Sequence, residues 1–230
     1  MNALDEMQSA AGPQPIPDPF DPAFAFVQRP DNDGQPFHMT ANDPGGATAW
    51  GVTFATWSAW QRMHGATPTL AAFQALTMAD TSPLYRALFW NACQCGSLAP
   101  GVGLMVFDAA VGSAPLHAAR WLQSVVGVPQ DGAIGPQTIA AAGRMPAARI
   151  INALATTRES FYASLPTFRY FGNGWDRRAE DCRRLALAMV AKSADAPSQS
   201  DSNEPTSGAD SPNSTAALND AELSKLGSES

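Results

Sequence analysis

Asn42-Asp43-Pro44-Gly45-Gly46-Ala47-Thr48-Ala49-Trp50-Gly51-Val52-Thr53 is the stretch from which the rest of the chain can be read. Gly45 and Gly46 permit a tight backbone bend that side chains would block. Asp43 is suited to satisfying backbone N–H groups inside that bend. Thr53 can cap the helix that follows, through Trp57, Trp60 and Met63 to a stop at Gly65. Upstream, residues 30–51 are rich in Gly, Pro, Asn and Asp, which predicts an irregular loop with room for a short hairpin. Asp21-Pro22 before it should open a helix through Ala23 and on to Gln28, ending ahead of Pro30.

Helical signals follow downstream at a spacing of three or four residues. Thr69 should open a helix with Leu70, Phe73 and Leu76 on one face, and Ser82-Pro83 one carrying Leu84, Leu88 and Phe89. Pro100 should begin a third, with Leu104, Phe107 and Val111 aligned, and Ser113-x-Pro115 a fourth, with Leu122 and Val125 inside. Asp131-Gly132 reads as a turn. Gly135-Pro136 leads into a short helix, and Pro146 starts a longer one with Ile150, Leu154 and Phe161 inward. A last helix is expected over 175–192. Val-rich alternation is missing, so the fold class is mainly α, without a large sheet.

Composition narrows the function. Of the net charge of -7, the segment 193–230 carries -6, with seven acids and only Lys225 as a base. The remaining body is nearly neutral and offers no basic face for nucleic acid. Cys93, Cys95 and Cys182 are an odd number without the partners of a zinc site, and read as buried or reduced thiols. Met1 to Phe20 has acids and prolines where a secretory signal would have a basic start and an apolar run. No apolar stretch is long enough to span a membrane. Synthesis in the cytoplasm is therefore expected, without a signal peptide.

The quoted stretch resembles the Asp-Pro-Gly-Gly-x-Thr-x-x-Gly-Ile-Thr signature of the N-acetylmuramidases of glycoside hydrolase family 108. Three further matches come in the same order. Phe89-Trp90 with Val106-Phe107-Asp108-Ala109-Ala110-Val111 is similar to the family's Tyr-Trp and Phe-Asp-x-Ala-Val-Asn segments. Trp121-Leu122-Gln123 with Gly127-Val128, Asp131-Gly132, Ile134-Gly135-Pro136 and Thr138 resembles its predicted peptidoglycan domain. Arg158, Phe161-Tyr162, Gly174-Trp175 and Arg177 resemble its closing pattern. The resemblance covers residues 22–190 or so. It implies a lysozyme-like helical fold, divided into a flexible N-terminus (1–20), a catalytic domain (21–112), a predicted peptidoglycan-binding helical domain (113–192) and a disordered acidic tail (193–230).

It also implies chemistry. A muramidase cuts the glycan strand between N-acetylmuramic acid and N-acetylglucosamine. A carboxylic acid protonates the leaving oxygen while the oxocarbenium-like centre is stabilised, with no cofactor or metal. The family places its glutamate in a Glu-Gly-Gly segment between the first helix and Asp-Pro-Gly-Gly. Here that segment reads Gln28-Arg29-Pro30-Asp31-Asn32-Asp33-Gly34, and no glutamate occurs between Glu6 and Glu159. The acid at that location must be Asp31 or Asp33, with Asp31 preferred because it follows the helix most closely. Asp43 is either a second carboxylate or a turn residue. His38, Thr48, Trp50 and Trp175 are the candidates for contact with sugar, and Asp108, inside an apolar helix, should make a structural hydrogen bond.

Peptidoglycan in the periplasm or cell wall is the expected partner, and export would need a holin-like or secretion partner. The missing glutamate keeps a second class open, a catalytically weakened lysozyme-like binding or secretion accessory protein. A lytic transglycosylase and a plain helical interaction protein stand behind these two. The tail is too polar to offset its own ordering entropy. Truncation after Lys192 should therefore leave the helical circular-dichroism signal and the melting temperature unchanged; a drop of many degrees would show that the tail packs on the body.

Overall fold

The computed structural model describes residues 18–32, 34–39 and 46–195. Among them are nine α-helices and one small antiparallel sheet. Of the expected flexible N-terminus (1–20) and disordered acidic tail (193–230), residues 1–17 and 196–230 lie outside the described residues, while Phe20 opens the first helix and 193–195 continue the last one.

Helix α1 runs over Phe20–Val27. It starts ahead of the expected Asp21 cap, because the Asp18 carboxylate accepts the Phe20 N–H at 3.0 Å. Pro22 is tolerated in the first turn, where N–H groups have no helical partner. Phe20, Ala23, Phe24, Phe26 and Val27 are all buried. Phe20 lies edge-on to Trp90 and Phe107, with ring centroids 5.5 and 5.7 Å away.

The loop-like segment contains three short strands, β1 (His38–Met39), β2 (Ala47–Ala49) and β3 (Val52–Thr53). His38 pairs with Thr48 and Met39 with Ala47; Thr48 pairs in turn with Thr53, and Ala49 with Val52. Gly46, one of the two glycines of the expected bend, has φ 68°, and Gly51 has φ 73°; Gly45 lies outside the described residues. Trp50 shares that left-handed region at φ 52°. Trp50-Gly51 thus forms a two-residue hairpin corner with both φ positive, the twist that suits adjoining strands.

Thr53 caps α2 (Phe54–Met63) and Thr69 caps α3 (Leu70–Gln74), each accepting the N–H three residues on. Phe73 is buried as expected, but Leu70 faces solvent. Helix α4 (Met78–Tyr85) differs from the expectation. It begins four residues before Ser82 because Thr77 and Asp80 form a reciprocal capping box, which leaves Pro83 inside the helix. The chain then widens into a π-helical turn over Arg86–Asn91.

Helix α5 (Pro100–Ser113) is the axis of the fold. Residues 101–110 are all buried, the pattern of a helix surrounded on every side. Helix α6 (Pro115–Val126) follows after Ala114 alone. Ser113 is not its cap, since its hydroxyl is turned toward the Tyr162 hydroxyl, 3.4 Å away. Helices α7 (Pro136–Gly143), α8 (Ala147–Ser164) and α9 (Phe168–Asp195) complete the bundle, with α8 and α9 both packed on α5. α9 starts seven residues before the expected Trp175 and continues three past Lys192. The ring of Phe168 covers Gly172 there, an aromatic contact that outweighs the poor helix propensity of two glycines. Cys93, Cys95 and Cys182 are buried free thiols.

Helix α5 meets α9 backbone to backbone. A Cβ on Gly101 would lie 2.2 Å from the Ala186 carbonyl oxygen, and one on Gly103 2.6 Å from that of Cys95. Neither neighbour is a side chain that could turn away. Gly101→Ala should therefore cost about 1–3 kcal/mol or more, read as a lower midpoint in urea, whereas Gly135→Ala, where a Cβ meets nothing within 4 Å, should leave the midpoint nearly in place.

Candidate active site

The end of α1 leads straight into the segment that sequence comparison singles out. Gln28 closes the helix, its N–H donating to the Phe24 carbonyl at 2.9 Å. Its side chain is buried, with Nε2 donating to the Trp50 carbonyl at 3.1 Å. Gln28 Oε1 has no hydrogen-bond partner among the described residues. Pro30–Asn32 then make one 3-10 turn. The N–H groups of Asn32 and Gly34 both donate to the Arg29 carbonyl, at 2.8 and 3.0 Å. Asn32 is buried and its Nδ2 donates to the Phe26 carbonyl at 3.0 Å. Gly34 is obligatory, since a Cβ there would fall 1.9 Å from the Gln28 carbonyl oxygen.

Asp31 sits on the exposed side of this pinned turn. Asp33 and Asp43, with most of the glycine-rich bend, lie outside the described residues. His38 and Thr48 are brought together as cross-strand partners, both half-buried. His38 Nδ1–H donates to the Pro36 carbonyl at 3.0 Å, which puts the ring proton on Nδ1 and makes Nε2 the acceptor nitrogen of the neutral ring.

Trp50 ties the pieces to one another. Its N–H donates to the Gln35 carbonyl at 2.6 Å and its indole N–H to the Leu76 carbonyl at 2.8 Å. Its own carbonyl receives both Gln28 and the Tyr85 hydroxyl, the latter at 2.9 Å. These bonds over-determine a residue whose left-handed backbone costs energy on its own. The indole N–H is thereby committed to protein, and the ring is half-buried. Trp175 belongs to a different cluster, against Tyr162 at 5.2 Å, Phe171 at 5.8 Å and Phe168 at 6.5 Å. A surface cavity nearby is lined by Glu159, Ser160, Ala163, Phe168, Asp176 and Glu180, none of them a residue expected to act on the glycan.

Residues 31–113 match the family model described as Glycosyl hydrolase 108, and residues 117–180 that described as Predicted Peptidoglycan domain. No curated protein matches the chain. Among solved structures, one titled "Structure of Brucella abortus SagA" is 40% identical, with a TM-score of 0.65, covering 76% of this chain and 99% of that one. The chain belongs to the glycosyl hydrolase 108 family. It is a lysozyme-like protein that acts on peptidoglycan.

In this family member the two matched segments are joined by a buried charge cluster that sequence reasoning found only in part. Asp108, expected to make a structural hydrogen bond, is fully buried on α5. Arg158 of α8 donates NH1 to its Oδ2, and Arg178 of α9 donates Nε to its Oδ1 at 3.0 Å. Arg158 is itself buried, with Nε donating to the Tyr162 hydroxyl at 2.7 Å. Arg178 NH2 lies 2.9 Å from Asp108 Oδ1, and its NH1 donates to the Asn32 carbonyl at 3.3 Å. Gln28 opens the segment that stands where the family carries its glutamate, but it was passed over because only carboxylates were weighed there, and Arg178 was passed over beside Arg177. The signal available was a lone amide ending an apolar helix and an arginine one turn after Trp175.

Burial alone would push the Asp108 carboxyl up. The charges and hydrogen bonds of Arg158 and Arg178 outweigh it and hold the group below the ordinary aspartate value of 3.8. A carboxyl that titrates lower in the folded chain than in the unfolded one contributes stability above its unfolded pKa, and loses it as pH falls through the folded value. Asp108→Asn should therefore destabilise the protein by about 3–5 kcal/mol near neutrality, since the buried Arg158 and the half-buried Arg178 lose their counter-charge. It should also flatten the acid side of the stability profile between about pH 5 and pH 2. Urea titrations across that range check both, and an acid limb as steep as in the wild type would assign it to other carboxylates.

Proposed function

We propose that this protein is a glycosidase that hydrolyses the peptidoglycan strand between N-acetylmuramic acid and N-acetylglucosamine, with Asp31 as the general acid. The observation that carries this reading is the turn itself. The chain between α1 and β1 is tied to the hairpin by the Gln28–Trp50 and Trp50–Gln35 bonds, and it presents Asp31 at its open edge. A glycan strand lying along the hairpin would meet His38 and Thr48 on one side and the turn on the other. Asp31 then protonates the leaving oxygen, and water adds at the anomeric carbon. Asp33 is the next candidate for the acid. Asp43 is either the second carboxylate or a turn residue.

A general acid must hold its proton near neutral pH, which an apolar surrounding favours. Asp31 is exposed, so that surrounding has to come from the sugar rings as they cover the turn. The half-buried Trp50 and Trp175 rings are proposed to help hold the strand. The protein would work in the periplasm or cell wall, reached through a holin-like or secretion partner. We also propose that the segment from 113 to 192 holds peptidoglycan while the segment from 21 to 112 cleaves it.

One observation favours the second reading, a binding protein with weakened catalysis. The side chain that closes α1 at the edge of the site is an amide, Gln28, which has no proton to give. Purified peptidoglycan separates the readings. In a folded Asp31→Asn protein turnover should fall by about 10²–10⁴-fold, as for a lost general acid, with sacculus binding kept and Asp33→Asn doing far less. Asp31→Glu should slow an enzyme whose loop suits aspartate and speed up one whose site has decayed. Normal turnover by Asp31→Asn would move the assignment to Asp33 or Asp43. Sacculus binding without soluble products from the wild type would favour the binding protein, and anhydro products a lyase.

A further inference from the structure

We infer that Arg178 is a positioning residue for the turn that carries the acid, acting from the far end of the chain through the Asn32 carbonyl. The inference rests on the proposal that the acid lies in this turn, as Asp31 or Asp33. Arg178 uses its guanidinium as a fork. Nε and NH2 lie 3.0 and 2.9 Å from Asp108 Oδ1, while NH1 reaches 3.3 Å to the carbonyl of Asn32, between the two candidate acids. Asp108 is in turn fixed by Arg158, so the fork is anchored on a fully buried carboxylate and cannot swing away. From inside, the Asn32 side chain holds the same turn through the Phe26 carbonyl. The turn is therefore gripped from α1 on one side and from α9 on the other, leaving Asp31 outside both grips.

Position matters here more than charge. An aspartate is one methylene shorter than the family's glutamate, and a displacement of about 1 Å can cost on the order of a hundredfold in rate. A shorter acid needs a backbone held closer to the sugar, and the Asn32 carbonyl is the handle by which α9 holds it. A lysine at 178 keeps the positive charge against Asp108, but its single nitrogen cannot serve two acceptors in a fixed fork.

The test compares Arg178→Lys with the wild-type full chain. Expected are a melting temperature within a few degrees, a KM for purified peptidoglycan within about twofold and a kcat lowered at least about tenfold. Amide hydrogen exchange at Asn32 and Gly34 should quicken while that of the α5 core stays slow, which reports loosening of the turn without reference to turnover. Arg178→Gln, which can donate to Asp108 or to Asn32 but not to both, should repeat the pattern if the lysine variant does not fold. Unchanged kcat and unchanged exchange at the turn would overturn the inference. So would a fall in kcat that only follows the folded fraction, since that is the mark of a purely structural ion pair. Loss of turnover in neither Asp31→Asn nor Asp33→Asn would instead overturn the reading of the turn as acid-bearing, whatever Arg178→Lys does.

Discussion

A carboxylate with no access to water has to be answered by positive charge, and Asp108 is answered twice. Both arginines come from helices more than forty residues further along the chain. Desolvating such a group costs several kcal/mol, and a buried ion pair often does little better than break even against a hydrophobic replacement. What the cluster contributes is specificity of arrangement. Helices α8 and α9 have one placement on α5 in which all the charges are met, and a sliding register would strand one of them. The α5–α9 contact is tight for the same reason, with Gly101 against the Ala186 carbonyl admitting no Cβ.

The hairpin corner works by a related logic on a smaller scale. Trp50 occupies a backbone region that suits glycine, yet each of its polar groups is met by a different part of the fold. Gln28 reports from α1, Tyr85 from α4, Leu76 from the segment between α3 and α4, and Gln35 from the loop. A strained residue with four such ties is a fixed point. The expected sugar-facing residues of the sheet, His38 and Thr48, are placed relative to it by strand register alone.

Much of this was legible in the sequence, for identifiable reasons. Thr53 and Thr69 cap helices because a hydroxyl three residues before an unpaired N–H is a local device that tertiary contacts did not disturb. Pro100, Pro115 and Pro136 open helices where a ring without an N–H does no harm. Sequence reading failed where two local signals competed. Ser82-Pro83 looked like a start, but Thr77 with Asp80 offered two reciprocal bonds and won. At the site, the turn after α1 could be located from its resemblance to the family. Its pinning could not, since the bond from Arg178 to Asn32 spans 146 residues and leaves no periodic trace.

The two family segments meet where α5 gives way to α6, and the joint between those helices is a single residue, Ala114, with φ 71°. There is no slack there for a protease to grip and no tether that would let one half swing on the other. The half that matches the predicted peptidoglycan domain supplies both counter-ions for a carboxylate in the half that matches the glycosyl hydrolase 108 model. Neither could be exchanged for a segment from elsewhere without stranding charge in the core. An architecture of this kind adapts by substitution within the shared body, because recombination at the seam is closed to it.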